Sequence, residues 1–463
     1  MGPINFCFPP SGALSRTSAR TDGSVEFPPP ARVSRFPALR VRNYRHWWLA
    51  LLAMQLGLQM LEVAIGWEVY AQHGSPLDLG WIGLAEFIPM FVLALPAGHL
   101  ADRLPRRLVF AGALLLGVAV GLGLALLSTS GATSVLPYLA LAAGAGVTMA
   151  LGNPAARAMA PTLVAPAVLP NAMTLRSIAT QVGQVAGPAL GGLIYGISPA
   201  VVYLLTALMC LLASVSLLTM SSRPAAVSTA PGAGAAAAPA PPPGLSSVLE
   251  GLRFVGRTQV LLGAILLDLL AVLFGGAVAL LPVFARSVLH TGPAGLGILR
   301  AAPAVGALLA AAALTGRPLV RHAGRTLLVV VGLYGVSIIV FGLSRFYPLS
   351  LLALGVSGFV DMFSMNIRST TVALATPDRL RGRVSAVEMV FISASNQLGA
   401  FESGLAAFLV GTVPAVVGGG AITVLIALSW NRFFPALAQV DRMQDLRLAA
   451  EVGTEPAAGV QPA

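Results

Sequence analysis

Long apolar runs alternate along the chain with short polar stretches that hold most of the arginines. A hydrocarbon layer about 30 Å thick takes roughly 20 residues of helix to cross. By that measure twelve blocks qualify, near 47–70, 78–99, 108–128, 135–156, 172–196, 200–220, 259–284, 293–316, 326–344, 349–370, 385–410 and 413–434. Their internal glycines and prolines do not disqualify them, because in a bilayer neighbouring helices satisfy a freed backbone and small residues permit close packing. The pattern predicts an all-α membrane protein with twelve transmembrane helices.

The segments outside these blocks divide the chain. Residues 1–45 are polar, rich in proline, serine and arginine, and lack the apolar core of a signal peptide, so a disordered cytoplasmic leader is expected. An Ala/Pro/Gly tract at 224–244 cannot build a core and reads as a linker. The expected order is therefore a six-helix half at 46–222, a linker at 223–258, a second six-helix half at 259–434 and a polar cytoplasmic tail at 435–463. Within the linker, Leu245, Val248, Leu249, Leu252 and Val255 share one helical face while Glu250, Arg253 and Arg257 take another. That division suits a helix lying on the membrane surface.

Composition narrows the chemistry. The 463 residues are 56% hydrophobic and only 10% charged, with a mean hydropathy of +0.84. The formal charge of +11 comes from 28 arginines and no lysine, so a P-loop lysine is absent and energy from ATP by that route is excluded. No soluble domain clusters the arginines into a nucleic-acid face. They fall instead in alternate loops, which by the positive-inside rule places both termini in the cytoplasm of a bacterial inner membrane. Cys7 and Cys210 form no framework, and His46, His73, His99, His290 and His322 lie at block ends without ligand spacing. No metal, cofactor or enzymatic constellation is expected, and a monomer is.

An internal repeat is visible. Pro76, Leu79 and Gly80 recur as Pro293, Leu296 and Gly297 at an offset of 217; Gly98, Arg103 and Arg107 recur as Gly316, Arg321 and Arg325 at 218; Gly187 and Gly192 recur as Gly399 and Gly404 at 212. Repeats of this kind place a transporter's substrate site between the halves, near the midplane. The run from Gly98 through Asp102 and Arg103 to Arg106 and Arg107 resembles the signature between spans two and three of the major facilitator superfamily. Trp67-Glu68-Val69-Tyr70, Ser75 to Gly80, Leu95 to Gly98 and Arg381-Gly382-Arg383-Val384 are similar to the branch of enterobactin exporters and other transmembrane secretion effectors. The resemblance implies a two-half fold and small-molecule export, of a siderophore or drug-like compound. Pro105 stands where the signature has glycine, Val320 where its second copy would have aspartate, and span four has no arginine before Arg157.

Several residues are candidates for function. Asp102 is placed to accept bonds from Arg103, Arg106 or Arg383, a clasp that would hold the cytoplasmic side shut; otherwise the run is a solvated topology signal. Gly183, Gly187, Pro188, Gly191 and Gly192 put small residues and a kink on one face of span five, similar to the superfamily's antiporter motif or serving tight packing alone. Ionised groups at lipid depth cost about 2.5 to 3.5 kcal/mol and need a reason to be there. Glu62 and Glu86 lie at similar depth, so they are expected either to share a proton or to be separately hydrated or paired. Asp268, Arg300, Asp361 and Glu402 form a second set, in which Asp268 and Arg300 are expected to make a structural ion pair or to bind substrate. Glu388 and Arg368 read as gate or interface charges, and Trp47, Trp48, Trp81 and Tyr70 as interfacial anchors. The expected partners are a small-molecule substrate, protons and membrane lipid, with no nucleic acid. An importer or facilitator of the same fold, or a transport-dead membrane sensor or assembly partner, is the alternative.

Overall fold

The computed structural model describes residues 36–131, 133–220, 245–315 and 322–440, without the side chains at 94, 95, 98, 99, 101, 102, 245–248 and 438. Residues 1–35 of the expected leader, the linker tract and most of the tail lie outside these residues. Residues 36–45, expected to be part of a disordered leader, instead form a 3-10 turn at Pro37–Arg40 and the start of the first long helix, with Ala38 and Tyr44 buried. Everything regular that is described is helical. The N-terminal set comprises α1 (Arg42–His73), α2 (Pro76–Arg103), α3 (Arg106–Ser130), α4 (Leu136–Met159), α5 (Leu169–Ile197) and α6 (Pro199–Leu218). The helix α7 (Leu245–Arg257) follows. The C-terminal set has α8 (Gln259–Gly275), the single turn α9 (Leu281–Val283), α10 (Pro293–Thr315), α11 (Ala323–Leu343), α12 (Tyr347–Ala375), α13 (Arg381–Val410), α14 (Thr412–Phe433) and the short α15 (Pro435–Ala438).

Ten helical stretches among the described residues are long and apolar enough to cross a membrane. The remaining two long helices, α5 and α13, have 29 and 30 residues but carry more polar side chains, among them Arg176, Gln181, Glu388, Gln397 and Glu402. Local signals explain the boundaries. Prolines occupy the first turns of α2, α4, α6 and α12, where a missing N–H costs nothing. The helices α1 and α3 stop at Gly74 and Gly131, whose φ angles of 68° and 66° suit a residue without a side chain. After α8 the chain continues through a 3-10 turn, α9 and a π-helical turn at 284–288.

Packing within each set is tight and depends on small residues. In the N-terminal set α3 lies on α6 and α4, α2 on α4, and α1 on α5 and α6; in the C-terminal set α11 lies on α14 and α12, and α10 on α12. The two sets meet through α5 with α10 and through α2 with α13. The ends of the bundle differ. At the end where α1 turns into α2, one hydrophobic cluster runs through both sets, from Met60 and Tyr70 to Phe284, Leu296 and Phe341. Toward the arginine-rich end the buried clusters are separate, one from Ala38 to Met220 and two confined to residues 255–440. The sets therefore share one hydrophobic core at one end and have separate cores at the other, where Arg157 of α4 reaches across to Met389 Sδ of α13 at 3.2 Å.

The expected surface helix α7 packs along one side on α13 and α8. Val255 is buried, Gly251 sits against the Arg383 backbone, and Leu249 and Leu252 stay exposed. Two expected anchors are corrected. Trp47 is fully buried beside Tyr44, and Tyr70 is buried with its hydroxyl 2.9 Å from Ser287 Oγ. Both lie on faces of α1 covered by other helices, which hydropathy along one helix does not reveal.

The packing gives a test. A Cβ on Gly121 would lie 2.9 Å from Tyr203 O and 3.0 Å from Ala207 Cβ, whereas one on Gly112 meets nothing within 4 Å. Gly121→Leu is expected to destabilise by about 1 to 3 kcal/mol through overpacking, and Gly112→Leu to leave stability unchanged or raised. Thermal unfolding of both variants in detergent measures the difference.

Candidate functional site

The residues that carry charge into the bundle converge where the sets meet. A pocket of about 190 Å³ is lined by Glu62 of α1, Glu86 of α2 and Arg300 of α10, with Tyr334, Asn396 and Gln397 among its other walls. Arg300 forms an ion pair with Glu62, 238 residues away in sequence, and so bridges the two sets. Arg300 is mostly buried and Glu62 half-buried, so the pair is reached by solvent mainly from the carboxylate side. Glu86 is held at the same wall because α4 presses on its backbone: a Cβ on Gly146 would lie 2.9 Å from the Glu86 carbonyl carbon. Downstream, Pro89 interrupts α2 and leaves the Ala85 carbonyl without its helical donor. Two carboxylates and one guanidinium share one small space.

The expected pairing of Asp268 with Arg300 does not form. Asp268 instead pairs with Arg368 of α12, and Arg368 Nε lies 3.6 Å from Glu388 Oε1 of α13. Depth along a helix fixes height and says nothing of which neighbour a side chain faces; α8 packs against α12, α13 and α14, while α10 faces α5 and α12. Arg368 is buried, with 4% of its surface exposed. It therefore ties three helices of the C-terminal set together and is not a surface gate charge. Asp361 lies halfway along α12 and is exposed, and Glu402 is half-buried on α13.

The glycine motif of α5 divides between two neighbours. Added Cβ atoms at Gly183, Gly187 and Gly191 would collide with Gln55, Gln59 and Met60 of α1, while one at Gly192 would lie 2.9 Å from Gly297 Cα of α10. The repeat has a counterpart: a Cβ on Gly404 of α13 would lie 2.9 Å from Gly80 Cα of α2. The residues matched by the repeat offsets thus make matching contacts, Gly192 with Gly297 and Gly404 with Gly80. Both lie toward the end with the shared core. Nearer the arginine-rich end, α2 and α13 expose Ile88, Phe91, Val92, Met389 and Val390.

The signature expected in a loop sits on the last turns of α2, which runs to Arg103. The side chains at Gly98 and Asp102 lie outside the described residues, as do Gly316 and Arg321. Arg103 is exposed. Arg106 donates to Ala158 O at 2.9 Å and Arg107 to Met220 O at 2.5 Å, two carbonyls at C-terminal helix ends where a cation is favoured. Arg383 pairs with Glu250 of α7.

One buried site was missed. Glu68, with 3% exposure, accepts from Tyr138 Oη at 2.8 Å and Tyr203 Oη at 2.5 Å, with Gln72 Nε2 at 3.4 Å. Its signal was a second carboxylate on α1, six residues beyond Glu62, in a chain with only seven tyrosines.

The sequence of residues 33–452 matches the model of a family described as transmembrane secretion effector. The chain belongs to the transmembrane secretion effector family. Members of this family are major facilitator transporters that span the membrane many times, so the site lies in a transporter. A relative in curated sequence is the multidrug efflux pump Tap of Mycolicibacterium fortuitum, 28% identical over 420 residues, covering 87% of this chain and 96% of that protein. An uncharacterized MFS-type transporter of Sinorhizobium fredii is 26% identical over 367 residues, covering 77% and 86%. Among solved structures, the inward-open xylose transporter XylE from E. coli aligns with a TM-score of 0.64 at 14% identity, covering 89% of this chain and 99% of that one. A bacterial homolog of the lysosomal transporter Spinster, inward-facing and occupied, gives 0.64 at 16% identity, covering 85% and 97%. These structural likenesses carry the fold alone.

In this secretion effector the Arg368 cluster is open to a direct test. Removing one partner of a buried ion pair strands the other and costs about 3 to 5 kcal/mol. Arg368→Met is expected to lower the melting temperature sharply, and adding Asp268→Asn to restore part of the loss, as read by thermal unfolding in detergent.

Proposed function

We propose that the chain exports a small amphipathic, drug-like or siderophore-like molecule in exchange for protons, by alternating access between its two helix sets. The observation that carries this reading is the Glu62–Arg300 pair spanning the sets beside Glu86. Two carboxylates against one guanidinium leave one negative charge, which a proton neutralises. A group that bridges moving bodies and changes charge couples ionisation to conformation. The Tap pump, matched over nearly its whole length, supports efflux as the direction.

In this reading α5 and α13 also cross the membrane, giving twelve spans in two pseudo-symmetric halves with a cytoplasmic linker and both termini in the cytoplasm of a bacterial inner membrane. The polarity of α5 and α13 follows from their place at the seam, where side chains face a partner helix or a cavity rather than lipid. The arginine-rich end is then cytoplasmic. In this reading the shared hydrophobic cluster is the closed outer side, and the end with separate clusters, bridged by Arg157 and Met389, is the cytoplasmic side that opens. Asp102, Arg103, Arg106, Arg107 and Arg383, with Gly98 at the helix end, act as the clasp that forms when the cytoplasmic side shuts. Gly192 of α5 with Gly297, and Gly404 with Gly80, form the outer seal, while Gly183, Gly187 and Gly191 hold α5 to α1.

Everted membrane vesicles with an imposed pH gradient test the proposal, with ethidium as a fluorescent amphipathic probe. Wild-type protein is expected to accumulate ethidium only while the gradient persists, and Glu86→Gln to lose uphill accumulation while still binding the probe. Accumulation that survives collapse of the gradient would remove the proton coupling, and uptake in the opposite vesicle polarity would reverse the direction.

A further inference from the structure

The two faces of the outer half of α1 have opposite attachments. One face meets the C-terminal set: Glu62 pairs with Arg300, Gly66 lies against Pro282, Tyr70 Oη is 2.9 Å from Ser287 Oγ, and Arg286 Nη1 donates to Tyr70 O at 3.3 Å. The other face meets its own set through Glu68. Tyr138 belongs to α4 and Tyr203 to α6, so the Glu68 carboxylate joins three helices of the N-terminal set. Gln72 Nε2 donates to Tyr138 Oη at 3.0 Å, which closes the network. Among the described residues no cation is paired with Glu68, and its carboxyl group is held by the two tyrosine hydroxyls and the Gln72 amide.

A buried carboxylate without a counter-ion is costly unless donors satisfy it, and donors that do so hold it in one geometry. The inter-set contacts of α1 have to break and re-form during transport, whereas the Glu68 bonds lie wholly inside one set. From this division we infer that Glu68 is a positioning residue, which locks α1 to α4 and α6 so that Glu62, Gly66 and Tyr70 meet or leave the opposite set as one rigid surface. The inference rests on the alternating-access reading above. Without the lock, Gly66 and Tyr70 would no longer be held against the opposite set, and ionisation at Glu62 would no longer drive the other helices.

Hydrogen–deuterium exchange on the purified full chain decides the matter without needing transport. Tyr203→Phe, which removes one hydroxyl and keeps the ring, is expected to speed exchange about fivefold in residues 66–73. A rise of similar factor is expected at 284–288 in the opposite set, to which Glu68 makes no bond. Glu68→Ala should raise both further, and adding Tyr203→Phe to it should add nothing, because both act through one network. A rise confined to α4 and α6, or additive effects of the two substitutions, would overturn the inference. Reconstituted ethidium efflux supplies the second readout: turnover is expected to fall about tenfold in Tyr203→Phe with binding within about twofold. A pH profile of efflux that shifts in Glu68→Gln and stays fixed in Tyr203→Phe would make Glu68 a proton carrier and overturn positioning. Wild-type protein that moves no ethidium counts against the transport reading, while exchange at 284–288 still decides this one.

Discussion

Backbone meets backbone at the seam between the two helix sets. At Gly192 with Gly297 and at Gly404 with Gly80 an added Cβ would lie 2.9 Å from the opposing Cα, so no other residue fits without moving a helix. In a bilayer little hydrophobic force drives one helix onto another, and such close approach supplies the dispersion energy that holds them. Because both contacts lie toward one end, they act as a seal there and as pivots for everything below. The continuous cluster around Phe284, Leu296 and Phe341 and the separate clusters at the arginine-rich end follow from that asymmetry.

The charged residues make sense against this frame. Glu62 and Arg300 are joined below the seal and bridge the sets, so a relative movement of the sets changes their separation. Arg368 with Asp268 and Glu388, and Glu68 with its tyrosines, lie inside one set each. Pairs within a rigid body keep their geometry in every state, and pairs across the seam do not. The bundle thus holds two kinds of buried charge that differ by attachment alone, and only the bridging kind can report one set's position to the other.

Much of this was legible in the sequence because it depends on distance along the chain. Hydropathy runs locate the long helices, and the recurrence of Gly80 as Gly297 and of Gly192 as Gly404 points to the residues that meet at the seam. Counting along the helices also put Glu62 and Glu86 at one depth, and they line one pocket. What was not legible depends on azimuth and on partners far apart in sequence. Arg300 was within reach of Asp268 by height, yet its partner is Glu62 on a helix from the other set. Tyr70 and Trp47 have the composition of interfacial anchors but face other helices. The two tyrosine donors of Glu68 stand 70 and 135 residues away, so their convergence on it does not show along the chain.

The linker helix shows how a feature read correctly as amphipathic acquires a different partner. Val255 is buried against the bundle, Gly251 rests on the Arg383 backbone and Glu250 takes the Arg383 side chain, so α7 is docked along one edge on the start of α13. Leu249 and Leu252 remain on the outside, where a membrane surface would cover them. Arg383 is also a member of the clasp proposed for the cytoplasmic side. A clasp that needs Arg383 must therefore take it from Glu250, and exchange of one exposed ion pair for another is nearly neutral in energy. In the proposed cycle that exchange would let the side open and shut without a large barrier, while the half-buried pair at Glu62 and Arg300 is the charge contact that ties the two sets together.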